Sequence, residues 1–480
     1  MMRIQYAGGA IWPMIGVTIC LLTACEPGSQ KTTESAWTMP SEPSGAVGTT
    51  GKKPNFVIVS IDTARSDFCE WYGHPQPTTP YLSRLSRLGT VFSHVIAQSP
   101  WTVPSHWSIF TGKYVSNHGM MTMHHRADDR LRTLAQILTE AGYDTAAFSG
   151  GGLLTAHWGF DRGFGTFESL PYGFPRTVPA ALNHVKAHQR EPFLLFVHGY
   201  DVHAPYYAHD MDIEAVRTAY PKQLIDPAAI PEYAVLYEEP DLGIYLKRYS
   251  AGYREVDRLL AQLIQELQRN GLMDHTYIII TADHGEEFMA HGGFDHGSVG
   301  LYEEAIAVPM VIIGPDIPVN RIESRPVQCI DLFATVLNKA GIPAPTDMDA
   351  RNLFASELSG SSLPVISETM VFRELVPVMA ANYLIDNHTQ VWAGRVRSRR
   401  TELPIRDAIA LEFGEASGNI VEIAPGHLES TFDVETTHFY LCDESGFKGD
   451  ACFLMIDAYT KNDLELKARM IEAMGCGADA

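Results

Sequence analysis

Cysteine is scarce in this chain: there are seven in 480 residues and no two stand in C-x-x-C spacing, which argues against a zinc–cysteine cluster. Cations are also few, with 36 Lys and Arg against 57 Asp and Glu and a formal net charge of -21. A nucleic-acid binder needs clustered positive charge against the phosphate backbone, so no nucleic-acid partner is expected. The plain use of such acidity is solubility, and some of the carboxylates could be metal ligands. No internal repeat is visible. Hydrophobic residues make up 45% and charged residues 19%, the composition of an ordinary globular protein. At this length two lobes are expected rather than one.

Long apolar runs are missing too, apart from the Gly-interrupted stretch Ala7–Thr23. It is short for a membrane span and follows a basic start, so it reads as a secretory signal. An uncleaved signal anchor is the alternative. The exit "LTAC", residues 22–25, resembles the lipobox of bacterial lipoproteins. That resemblance implies cleavage after Ala24, diacylglycerol on the Cys25 thiol, and a lipid-anchored place on the periplasmic side of a bacterial envelope. Residues 25–52, rich in Ser, Thr, Gly and Pro, read as a flexible tether. Cys442 and Cys452 bracket a Gly/Asp-rich loop and could pair in an oxidising compartment.

From Pro54 onward, buried-strand patterns alternate with amphipathic helices. "NFVIVSI" (55–61), "DTAAFS" (144–149), "PFLLFVHGY" (192–200), "TYIIITA" (276–282) and "VPMVIIG" (308–314) are the strands. Helices are expected over 79–89, with Thr79 as cap, over 131–142 and over 245–271. The expected fold is α/β, a mostly parallel central sheet flanked by helices over 53–345. A smaller α+β subdomain is expected at 346–480.

In such sheets ligands gather at the carboxyl ends of the strands. There the first strand delivers Asp62, another delivers Asp201 and His203, and "TYIIITA" delivers Asp283 and His284. Glu286, Glu287, His291, Asp295 and His296 follow. Each has a structural reading on its own; Glu286, Glu287 and His291 are as easily surface or supporting residues. Together, two carboxylates and an imidazole suit a divalent cation such as Zn²⁺ or Mn²⁺. "SPWTVPSHWSIFTG", residues 99–112, starts a helix near Thr102. Its hydroxyl is either a helix cap or, beside a metal, a nucleophile toward phosphorus or sulfur.

The order of "PNFVIVSIDTARSD", "SPWTVPSHWSIFTGKY", "AGYDTAAFSG", "DVHAPY", "ITADHGEEF" and "LYEEAIAVPMVIIGP" resembles the sulfatase branch of the alkaline phosphatase superfamily. The resemblance implies a metal-dependent hydrolase of phosphate or sulfate esters. Sulfatases carry C-x-P-S-R, whose first residue is oxidised to formylglycine; here Thr102-Val103-Pro104-Ser105-His106 stands in its place. The family's sulfate-binding Lys and its paired Asp-Asp are absent as well, the latter replaced by Asp62-Thr63. What remains is similar to the threonine-nucleophile phosphoethanolamine and phosphoglycerol transferases and phosphodiesterases.

Carried over, the resemblance implies Thr102 as nucleophile and a metal held by Asp62, Thr102, Asp283 and His284. His203 and His296 become catalytic or substrate-binding, and His106 substrate-binding. One or two divalent ions (Zn, Mn or Ca) are expected. The substrate is then a small or envelope-derived phosphate or phosphonate ester. A sulfatase working without formylglycine, and a degenerate binding module, are the other readings.

Overall fold

The computed structural model describes residues 39–40, 52–120, 126–188, 192–216, 220–235, 240–291, 293–296 and 301–355, and the backbone of six strands beyond them. The leader expected at 1–24, Cys25, and the side chains of Cys442 and Cys452 lie outside the described residues.

In chain order the strands are β1 (Asn55–Ile61), β2 (Gly89–Phe92), β3 (Val95–Ile96), β4 (Asp144–Ser149), β5 (Thr166–Ser169), β6 (Phe193–Gly199), β7 (Thr276–Thr281), β8 (Met310–Ile313), β9 (Arg321–Glu323) and β10 (Val327–Gln328). The helices are α1 (Pro80–Leu85), α2 (Thr102–Thr111), α3 (Val115–His118), α4 (Leu134–Glu140), α5 (Phe174–Ala187), α6 (Asp210–Ala215), α7 (Leu242–Arg269), α8 (Glu303–Ile306) and α9 (Asp331–Lys339).

Eight strands form one sheet in the order β5-β4-β6-β1-β7-β8-β2-β9. Strands β5, β4, β6, β1 and β7 run parallel. β8 runs against both neighbours, and β2 and β9 return to the common direction. The sheet is therefore mostly parallel, as the strand patterns predict. Every residue of β1, β6 and β7 is buried, which is why these strands read as mostly apolar runs with helices on both faces. Ser60 and His198 interrupt those runs, and they face each other in register across β1 and β6.

Helix starts follow local chemistry in some places and tertiary contacts in others. α4 has a full capping box between Thr133 and Gln136. α1 differs from expectation, since Thr79 makes no side-chain cap. Asp257, on α7, supplies that cap from 175 residues away: its two oxygens accept from Tyr81 N and Leu82 N at 2.9 and 2.7 Å. A buried carboxylate meeting free helix N–H groups satisfies both partners.

Beyond residue 355, β11 (Val365–Phe372), β14 (Val421–Glu422), β15 (Thr436–Asp443) and β16 (Cys452–Tyr459) form an antiparallel sheet in the order β11-β16-β15-β14. Two short strands, β12 (Trp392–Ala393) and β13 (Val396–Arg397), pair with each other. In the β15–β16 ladder Cys442 stands opposite Phe453, and Asp443 opposite Cys452.

Candidate active site

The carboxyl ends of β1 and β7 lie side by side, because Ser60 pairs with Thr281. One residue past β1 comes Asp62; two past β7 comes Asp283, then His284. All three are fully buried, and one ligand atom of each lies within 4.8 Å of the others. Thr63, just after Asp62, adopts a left-handed conformation at φ 57°, a costly geometry for a β-branched residue. The bend aims Thr63 N–H at Asp283 Oδ1, 3.3 Å away. Gly285 follows His284 where any side chain would meet the backbone oxygen of Glu304.

Hydrogen bonds fix which atoms of this trio face one another. His284 Nδ1 donates to the Gly285 carbonyl at 3.0 Å, leaving Nε2 with its lone pair toward the centre. That nitrogen lies 3.3 Å from Asp283 Oδ2 and 3.9 Å from Asp62 Oδ1. Asp62 Oδ2 is taken by His198, whose Nε2 is 3.1 Å away. Gly150 N in turn donates to His198 Nδ1 at 3.3 Å, so the Nε2–H is the donor to Asp62. Asp62 Oδ1 and Asp283 Oδ2 are left buried with no hydrogen-bond partner.

Two orphaned carboxylate oxygens and one imidazole lone pair, converging in a buried pocket, fit a divalent cation. Their acid–base properties agree. Burial raises Asp62 to about 7. Burial, reinforced by the Asp62 charge, raises Asp283 far above the usual carboxylate range. Burial and the neighbouring His296 hold His284 well below its ordinary value. Unpaired, these groups cost several kcal/mol each on burial; a cation removes that conflict.

α2 brings the hydroxyl. Thr102 is its first residue, with extended Trp101 as N-cap and no side-chain cap bond. Its hydroxyl faces the cluster: Thr102 Oγ1 is 3.4 Å from both Asp62 Oδ2 and His284 Nε2. Tyr200, just beyond β6, also reaches it; its hydroxyl accepts from Leu153 N at 3.1 Å. Ser105 is committed elsewhere, donating to the Asp283 carbonyl at 2.6 Å.

His106 does not meet open space, although a substrate-binding place is expected for it. It is completely enclosed, one helical turn behind Thr102. Its Nε2 bonds Ser60 Oγ and its Nδ1 the Thr102 carbonyl, both at 3.0 Å. The same Nδ1 stands 3.4 Å from Asp283 Oδ2. Burial lowers its pKa to about 4, so the ring is neutral at this position.

On the open side, His296 and His203 extend the cluster. The His284 and His296 rings are 4.4 Å apart and those of His296 and His203 4.9 Å apart. Burial alone would lower His296, but the Glu286 carboxylate 3.0 Å away outweighs it and raises the ring to about 9. Burial and the His296 charge lower His203 to about 4. The outer histidines are therefore one cation and one neutral ring. Tyr206 donates to the other Glu286 oxygen at 2.8 Å. Glu286 and Glu287 are buried, which removes the surface reading for both. Asp201 does not join the cluster; it caps α5, accepting from Phe174 N at 2.8 Å. His203 also lines an open cavity of about 440 Å³ with Tyr172, Tyr200 and Tyr207.

The chain is similar to known proteins in sequence and in fold. A sequence model of the family described as Sulfatase matches residues 54–342. Arylsulfatase K of Canis lupus familiaris is 23% identical over 383 residues, 69% of either chain. The extracellular sulfatase SULF-1 homolog of Drosophila melanogaster is 24% identical over 361 residues, 64% of this chain but 32% of that one. Among solved structures, the phosphonate monoester hydrolase of Agrobacterium radiobacter superposes with a TM-score of 0.58 at 20% identity. That match covers 69% of this chain and 83% of the other.

Proposed function

Since the chain belongs to the sulfatase family, hydrolases of sulfuric or phosphoric esters, we propose that it cleaves phosphate or phosphonate esters with Thr102 as nucleophile. The observation that carries this reading is the Thr102 hydroxyl at the start of α2, 3.4 Å from Asp62 Oδ2 and from His284 Nε2. A divalent cation (Zn, Mn or Ca) would be held by Asp62, Asp283, His284 and Thr102. When bound, it would lower the hydroxyl's pKa and offset charge on the ester.

The protein's own groups divide the rest of the work. Thr102 Oγ1 forms the bond to phosphorus while its proton leaves toward Asp62 Oδ2, and the bond to the leaving oxygen breaks. His296, held cationic by Glu286, gives that oxygen a proton. Water then bonds to phosphorus as the bond to Thr102 Oγ1 breaks; its proton passes to His296, and Asp62 returns the first proton to Thr102 Oγ1. Neutral His203 donates its Nδ1–H to the Ala204 carbonyl at 2.7 Å, which leaves Nε2 as an acceptor for the attacking water of the second step. Tyr200, kept protonated by burial, offers its O–H to the ester. His106, bonded to Ser60 and to the Thr102 carbonyl, braces the start of α2 rather than touching substrate. The leaving group, small or envelope-derived, occupies the cavity lined by Tyr172, Tyr200 and Tyr207.

Sulfuric esters are the second reading, supported by the sulfatase names among the relatives. Against it stands Thr102 itself, which carries a methyl group where an oxidisable CH₂ would be needed. We also propose cleavage before Cys25 with lipid attachment there, a tether to residue 52, a catalytic domain over 53–345 and a smaller lobe over 346–480. A panel of aryl phosphate mono- and diesters, a phosphonate ester and an aryl sulfate, assayed on metal-loaded protein, tests the substrate. Turnover of the phosphorus esters at ten times the sulfate rate or more is expected. Faster sulfate turnover would establish the second reading.

A further inference from the structure

At the opposite edge of the sheet a second group of ligand side chains converges. Asp144 opens β4, and the strand runs about 16 Å before Gly150 touches His198 near the active site. His184 and His188 lie one turn apart at the end of α5, so both rings face the same way. His184 Nε2 and His188 Nδ1 each stand 2.7 Å from the same oxygen, Asp144 Oδ2. The two rings stack with centroids 4.2 Å apart, and Phe148 braces His184 edge-on at 5.8 Å. Among the described residues, this trio and the active-site trio are the two groups that converge closely enough to hold a metal.

We propose that Asp144, His184 and His188 form a second metal site, for a borderline transition ion of the Zn²⁺ class. One carboxylate and two imidazoles are a ligand set that such ions take readily, and His pairs four apart on a helix are well spaced for it. Burial is graded: the side chains of His184, Asp144 and His188 are 7, 16 and 37% exposed. The inner two ligands are held, while the outer face stays open to a water as fourth ligand and to ion entry. Asp144 is itself anchored, since its N–H donates to the Pro192 carbonyl at 2.9 Å. The ion would join the end of α5 to the start of β4, far from the reacting atoms, so its role is to clamp the fold.

Zinc binding to the full chain tests this without relying on turnover. Protein stripped by chelator and equilibrated with Zn²⁺ should hold one more ion per chain than H188Q or D144N, and the hydrolytic rate of H188Q should be unchanged. Crystals of the wild type soaked in Zn²⁺ should show anomalous scattering between these three side chains, a readout independent of any variant's folding. Equal zinc content in wild type and both variants, or no anomalous peak there, would overturn the proposal. The trio would then be a hydrogen-bonded cluster only.

Discussion

His198 donates from Nε2 to Asp62 Oδ2 at 3.1 Å and leaves Asp62 Oδ1 as the free oxygen of that carboxylate. The bond sets both the rotation of the carboxylate and which oxygen faces Asp283 and His284. Groups that orient metal ligands in this way are worth a factor of roughly 10–100 in metal affinity. H198A is therefore expected to bind the active-site metal 10- to 100-fold more weakly while its thermal unfolding stays cooperative. Competition against a metallochromic chelator measures this, and unchanged affinity would assign His198 a packing role.

Asp283 carries a second expectation, one that changes sign with metal. Without a cation, burial and the Asp62 charge raise its pKa far above the usual carboxylate range. The folded apo protein therefore holds that proton more tightly than the unfolded chain does. This contribution is present below the unfolded pKa and lost as pH rises. At pH 8, chelated D283N should melt above chelated wild type, since Asn can still accept at Oδ1 from Thr63 N and His284 N. With metal added the order should reverse. Thermal melts of both proteins, with chelator and with metal, decide it; a single order in both conditions would contradict the assigned ligand.

Away from the active site, Asp257 gives the fold a pH dependence. Burial raises it to about 7 although it accepts two helix N–H bonds. The sign is that of any raised acid: its contribution is full below about 4 and is lost as pH rises through about 7. The stability of wild type relative to D257N should therefore fall between pH 4 and 8. Denaturant midpoints across that range measure it, and a gap that widens with pH would refute it.

Asp62, Asp283 and His284 were legible in the sequence as candidate ligands because they come within three residues of the end of a buried strand, where ligands gather in parallel sheets. Thr102 was legible as the hydroxyl at a helix start. His198 and Ser60 were harder. They sit inside runs that otherwise read as pure core, and their pairing across β1 and β6 depends on a register that no local pattern carries. A polar residue interrupting an apolar strand near its carboxyl end is the signal that could have found them. Glu286 looked like a surface or supporting residue because its neighbours are charged; only the fold brings His296 and Tyr206 against it. His106 illustrates the reverse failure. Its place in the motif suggests contact with substrate, but one helical turn carries the ring behind Asp283. Thr79 likewise reads as a cap, yet a carboxylate from α7 outcompetes it.

Thr102 Oγ1 is the proposed attacking atom. Its most direct test is the steady-state rate of T102A on an aryl phosphate or phosphonate ester, with metal content measured on the same sample. Loss of the nucleophile should lower kcat by about a thousandfold or more while the metal bound through Asp62, Asp283 and His284 is retained. T102S, which restores a hydroxyl, should recover part of the rate. A T102A enzyme that keeps its metal and turns over at the wild-type rate would contradict the account.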